Sequence, residues 1–397
     1  MNYRYILVIG IVLILAVGIG SAYYLLHTQS QATTVPPSSG STTTSATTSS
    51  SFEFLVFTQK GIVMLESPTG SFLGYERLYN LTTSTPVQTF YWDEYSASAI
   101  QSTVLVIPLN NGTLLMFNTT TMRETGRTSV GSSIGFIGVA LSPNSKYIAV
   151  ADGPSGNVEV LSATTGEVVW QKTYDTPQGK TAYPCDVRWS PDGGYLLVPM
   201  KLNGTIDVID SATGAIVNEA NVAPASQPYM ASINEQGTQA VVEFLTNKTD
   251  GFYTFPSLRL IGTVAFNSTH FVPQRGVFTP DGSYYLEASA STNQIAVIST
   301  SNLQVVNMIN LPPTSAPGFA DIVIAPDGTT AYAVQHGNPS TGGIVYLISL
   351  SQVTSSSAVV GSIPLTTAPA IVLTIPSTLA TYLADNVLQP PVTGLHC

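Results

Sequence analysis

Tyr183-Pro184-Cys185-Asp186-Val187-Arg188-Trp189-Ser190-Pro191-Asp192-Gly193-Gly194-Tyr195-Leu196-Leu197-Val198 is the stretch that decides the fold. It reads as a short apolar strand, a Ser-Pro-Asp-Gly turn and a Tyr-led strand. The turn recurs as Thr279-Pro280-Asp281-Gly282 and Ala325-Pro326-Asp327-Gly328, and in degenerate form as Ser142-Pro143-Asn144-Ser145. Asn144 and Asp192 are 48 positions apart, Asp192 and Asp281 are 89, and Asp281 and Asp327 are 46. A period of about 45 residues is the mark of stacked supersecondary units. The turn chemistry is explicit. Pro presets φ, Asp bonds its own backbone, and Gly supplies a positive φ, so each phrase reverses one strand into the next.

Strands continue on both sides of the phrase. Segments of four to eight residues rich in Val, Ile, Tyr and Thr alternate with Gly, Pro, Asn and Asp turns, as in Thr205 to Asp210 and Gln294 to Ser299. Thr165-Gly166, Thr213-Gly214 and Thr69-Gly70 make a second hairpin signal, and a Pro (Pro86, Pro184, Pro228, Pro273, Pro317, Pro369) precedes the first strand of most units. Together these markers predict six contiguous four-stranded units near 85–130, 131–176, 181–223, 226–266, 270–312 and 315–364. Two remnants are left. Residues 365–387 read as the first half of a unit and 52–80 as the second half, with Ile62-Val63-Met64-Leu65 parallel to Ile206-Asp207-Val208-Ile209. The expected fold is all-β: a seven-bladed β-propeller of four-stranded antiparallel blades, its last blade closed by strands from both chain ends. Radial closure of this kind protects sheet edges.

The phrase around Ser190-Pro191-Asp192-Gly193, with Asn203-Gly204-Thr205-Ile206-Asp207-Val208-Ile209-Asp210-Ser211-Ala212-Thr213-Gly214 after it, resembles the YVTN-type seven-bladed β-propellers, relatives of the lactonase-like and quinoprotein-like propellers. The resemblance covers about 52–390 and is greatest in the third, fifth and sixth units. The literal Tyr-Val-Thr-Asn tetrad is absent, with Leu196-Leu197-Val198-Pro199 in its place. In this family the motifs build blades and do no chemistry, so the resemblance implies a fold and no activity.

The chain outside the repeats predicts its location. Tyr5 to Leu26 carries no charge, Arg4 precedes it, and no Lys or Arg follows until Lys60. About 20 apolar residues span a bilayer core, and the flanking charge sets the N-terminus in the cytoplasm. A single-pass anchor in residues 1–27 is therefore expected, with a cleavable signal ending near Gly20-Ser21-Ala22 as its rival. Residues 28–51, rich in Ser and Thr and free of charge, read as a flexible tether of roughly 25–30 Å. Residues 52–397 then form the propeller on the outer side of the cell membrane. Export makes the sequons at Asn80, Asn111, Asn118, Asn203, Asn247 and Asn267 candidate glycan acceptors. Cys185 and Cys397 can form one disulfide or stay as thiols.

Of the 397 residues only 9% are charged, and 13 basic against 23 acidic residues give a net charge of −10. Clustered Lys and Arg are what a nucleic-acid partner would need, and none is present. The low charge and abundant neutral polar residues resemble exported proteins of acidophilic archaea.

In propellers the first strand of each blade lines the central channel. Aligning the units on the turn Pro and reading five residues back gives Asp186, Arg275 and Asp321, with Gly138 and Ile371 at the same place in the second and last units. These charges, rare in this chain, form a candidate ring for a cation or small polar ligand. The plainer alternative is that they pair with each other or with neighbouring backbone and fasten the blades. No cofactor is predicted. The four scattered histidines share no motif, and two carboxylates are few for a hard cation. The expected role is a membrane-tethered module that binds a protein or a surface polysaccharide. The alternative is a lactonase-like, metal-dependent enzyme.

Overall fold

The computed structural model describes residues 54–58, 61–62, 99–101, 104–108, 112–118, 123–130, 137–222, 224–266, 270–314, 318–325, 328–338, 342–364 and 369–374. All lie in one compact unit, Ser49–Cys397. The expected anchor and tether lie outside the described residues. Among the described residues no helix is long and apolar enough to cross a membrane.

The protein is all-β. Six four-stranded antiparallel sheets follow one another along the chain, here called blades 1 to 6. Their first strands are Ala99–Gln101, Ile137–Leu141, Arg188–Trp189, Pro228–Ile233, Pro273–Phe278 and Phe319–Ile324. The order within each blade is sequential, as expected of hairpin-connected strands.

Seven four-stranded blades were expected, and among the described residues six are found. The remaining sheet has three strands, Gly61–Ile62, Phe54–Thr58 and Pro369–Thr374, in that spatial order. The split between the two chain ends also differs from expectation. The place beside Pro369–Thr374 goes to Phe54–Thr58, paired from Phe54↔Thr374 to Thr58↔Pro369, and not to a second C-terminal strand. The run Phe54-Leu55-Val56-Phe57-Thr58, apolar with β-branched and aromatic residues, has strand chemistry of its own. The rest of the segments expected to complete this blade, 63–80 and 375–387, lies outside the described residues.

The first strands touch in cyclic order. Each of blades 1 to 5 meets the next, blade 6 meets Pro369–Thr374, and that strand meets blade 1. The core lies between blades. Leu196 and Val198 of blade 3 pack with Ala149, Ala151 and Val158 of blade 2. Leu286 and Val297 of blade 5 pack with Ala331 and Ala333 of blade 6. A strand sandwiched in this way is buried on both faces, which explains runs such as Leu196-Leu197-Val198-Pro199-Met200, all buried, in place of strict alternation.

The turns are built as their sequence dictates. Ser190 Oγ donates to Asp192 Oδ1 at 2.5 Å, the Gly194 N–H donates to the same oxygen at 2.9 Å, and Gly193 has φ +76°. Thr279, Asp281 and Gly282 repeat this in blade 5, with 2.6 Å for the hydroxyl bond and φ +71°. In blade 2 Ser142, Asn144 and Ser145 (φ +59°) do the same without Gly. The fourth strands form the exposed edges. Their apolar doublets, among them Val168-Val169 and Ile216-Val217, follow the second hairpin and are exposed. Each sits at a shift in register, as between Val168 and Trp170, and such irregularities discourage edge-to-edge pairing.

Candidate functional site

Arg275 and Asp321 lie near the start of the first strands of blades 5 and 6, where the register shifts, and Asp186 stands two residues before that of blade 3. Neighbouring blades meet through these positions. A Cβ on Gly138 would stand 3.0 Å from Asp186 Cα, so blade 2 abuts blade 3 there, backbone to backbone. Asp186 Oδ2 accepts the Ala231 N–H of blade 4 at 3.2 Å. It also accepts from Arg188 Nε at 3.0 Å, and Arg188 Nε reaches the Ala231 carbonyl at 3.0 Å as well. One arginine thus clips both a carboxylate of its own blade and the backbone of the next.

Met230 occupies the ring position of blade 4. Its sulfur accepts from an Arg275 terminal nitrogen at 3.6 Å. Arg275 Nε stands 3.6 Å from Asp321 Oδ1 of blade 6, with the side chains 12% and 3% exposed. Burial acts to lower the Arg275 guanidinium, but Asp321 first and Asp186 next outweigh it and hold the pKa above its usual value. Asp186 on Ala231, the adjacent Met230 on Arg275, and Arg275 on Asp321 thus link blades 3 to 6 in sequence.

Beside these contacts, Lys201 Nζ lies 5.6 Å from the Tyr183 ring centroid and 5.5 Å from that of Tyr229, within cation–π range of both. Tyr183 holds a positive φ of 58°. Cys185 is fully buried against Tyr229 and Met230, and burial pushes its thiol up to about 12, with Lys201 opposing and Asp186 adding. Among the described residues it is a free thiol, and Cys397, with which it could form a disulfide, lies outside them. Of the candidate glycan acceptors, Asn203 and Asn247 sit in equivalent hairpin turns of blades 3 and 4, and Asn118 ends a strand of blade 1. Asn80, Asn111 and Asn267 lie outside the described residues. His270 is exposed, off the ring.

Among the described residues no group of three or more His, Cys, Asp or Glu is placed to hold a metal ion. Two surface clefts lie away from the ring. One flanks Asp281, Tyr284 and Thr300, and the other lies between blades 3 and 4 at Pro191, Tyr195 and Phe255. Sequence reasoning missed Met230 and Arg188. Met230 follows from the alignment once Asn234-Glu235-Gln236-Gly237 is recognised as the turn of blade 4, for its Gly237 has φ +65°.

No family model matches the chain, and no curated protein matches it. Among solved structures it is similar to a chain of Kuenenia stuttgartiensis hydrazine synthase, a propeller-containing protein. The TM-score is 0.55 at 17% identity, over 73% of this chain and 90% of that one. At that identity the likeness speaks for the β-propeller fold alone.

Proposed function

We propose that the protein is a membrane-tethered, extracytoplasmic β-propeller of the YVTN type that binds a protein or a surface polysaccharide. The observation that carries this reading is the use made of the ring. Its charges are engaged within the protein: Asp186 with Arg188 of its own blade and the Ala231 N–H of the next, and Arg275 with Asp321 and Met230 of the neighbouring blades. Side chains engaged in this way fasten a rigid platform. Uncharged tether chemistry, the apolar N-terminal segment and the sequons supply the cell-surface setting.

The test uses the full-length chain in its own membrane. Protease added to intact cells is expected to degrade the propeller and spare the N-terminal segment. Photo-crosslinking in the same cells, with a polysaccharide array probed by the detergent-solubilised chain, is expected to return one reproducible partner. Protection from the protease would overturn the topology. A stoichiometric metal ion accompanied by lactone hydrolysis would replace the binding reading with the enzymatic one.

A further inference from the structure

Blades 4 and 5 meet over a group of acids that the ring does not use. Glu243, in the second strand of blade 4 (Gln239–Phe244), stands directly opposite Asp250 in the third (Thr249–Thr254). Directly opposed residues project from the same face with Cβ atoms about 4.5–5.5 Å apart. Glu287 comes from the second strand of blade 5 (Tyr284–Ser289). All three are 0% exposed.

The surroundings supply few donors. The Tyr285 hydroxyl of blade 5 donates to Glu243 Oε1 at 2.7 Å, and the Gln274 N–H donates to Glu287 Oε1 at 2.8 Å. Phe252 meets the Tyr285 ring edge-on at 5.8 Å and closes the space with carbon. Glu243 Oε2, both oxygens of Asp250 and Glu287 Oε2 have no hydrogen-bond partner. The charged groups that act on the cluster are the three acids themselves, Tyr285, and Asp186 and Arg188 from blade 3. Arg275 also senses Glu243, but its close contacts are Asp321 and Met230.

Three carboxylates cannot be ionised together in so dry a space without a large desolvation cost. Four acceptor oxygens without donors are costly as well. A proton on each carboxyl removes the charge and adds an O–H donor. We propose that the interface of blades 4 and 5 is a proton-loaded joint: Glu243, Asp250 and Glu287 carry protons while the joint is closed, and it loosens as rising pH removes them.

The direction of titration agrees. Burial first, and the neighbouring carboxyls next, push Asp250 and Glu287 well above the carboxylate range. Burial lifts Glu243 to about 7 against the Tyr285 hydrogen bond. An acid whose pKa is raised on folding binds more protons folded than unfolded. Its contribution is complete below its unfolded value of about 4 and is lost as pH rises through the folded value.

The experiment is urea unfolding of the full chain in detergent between pH 4.5 and 7, for wild type, Asp250→Asn and Glu287→Gln. Each proton retained by the folded state raises the unfolding equilibrium constant about tenfold per pH unit. Asp207, which burial raises to about 7, adds to the wild-type slope, so the difference between proteins is the reading. Each amide variant is expected to reduce the slope by about one proton. Hydrogen exchange on wild type alone needs no variant: amides of Gln239–Phe244 and Tyr284–Ser289 should lose protection first as pH rises. Slopes unchanged in both variants, or earlier loss of protection in another blade, would overturn the proposal. Removal of the wild-type slope by millimolar calcium would also overturn it, in favour of a cation-filled site.

Discussion

Replacing Arg275 by Met tests how the ring is held. The guanidinium stands 3.6 Å from an Asp321 oxygen, and both side chains are largely buried. At an effective dielectric of 20 that separation corresponds to an attraction of about 5 kcal/mol, offset by the desolvation of both ions. Removing only the arginine takes away the attraction and leaves Asp321 buried without its counter-ion, a change that costs about 3–5 kcal/mol at neutral pH. Met fills most of the volume and can pack against Met230, so a cavity adds little. The double variant Arg275→Met with Asp321→Asn removes both charges and should cost no more than about 1 kcal/mol. Urea unfolding followed by tryptophan fluorescence, at pH 7 and pH 4, measures all three proteins. A single-variant cost below 1 kcal/mol, or a double variant as unstable as the single, would refute the view that this pair is a buried fastening.

Other perturbations address other parts of the fold. Gly276→Ala would drive a Cβ into the Tyr285 ring, which is fixed by its bond to Glu243; thermal unfolding should register a loss of about 1–3 kcal/mol. Trp170→Phe deletes the indole bond to the Ser211 carbonyl (2.8 Å) between blades 2 and 3, and chemical unfolding should show about 1 kcal/mol lost. Asp281→Ala removes the acceptor of both Thr279 and Ser283 in an exposed turn. Those bonds hold the Asp281 pKa below its usual value, so their contribution exists above pH 4 and fades in acid. The variant should therefore differ from wild type at pH 7 and converge with it below pH 3.

The blades were legible in the sequence because their turns are chemical necessities. Gly193 and Gly282 take positive φ, and Asp192 and Asp281 accept the bonds that a Pro-Asp-Gly reversal requires. The alignment singled out Asp186, Arg275 and Asp321, which the structure ties into contacts between blades, and it passed over Met230 because the turn of blade 4 lacks Pro. The buried acids were harder to see. Val241-Val242-Glu243-Phe244 carries one acid in an apolar run, and all four residues are buried. The available signal was the charge itself, placed inside an apolar strand in a chain with only 9% charged residues. The make-up of the closing sheet was misread because Phe54–Thr58 carries no repeat motif, and register with a strand more than 300 positions away is not a local property.

That distant pairing gives the ring a mechanical weak point. Phe54 is paired with Thr374, and Thr58 with Pro369, so the chain enters and leaves this pair at the same end. Tension applied between the two flanking segments would peel the strands apart one hydrogen bond at a time, without loading the ladder in shear. Pulled from both sides in a single-molecule experiment, the ring should part at this seam at low force while blades 2 to 5 remain intact. A first rupture inside one of those blades would show that the seam is not the weakest joint.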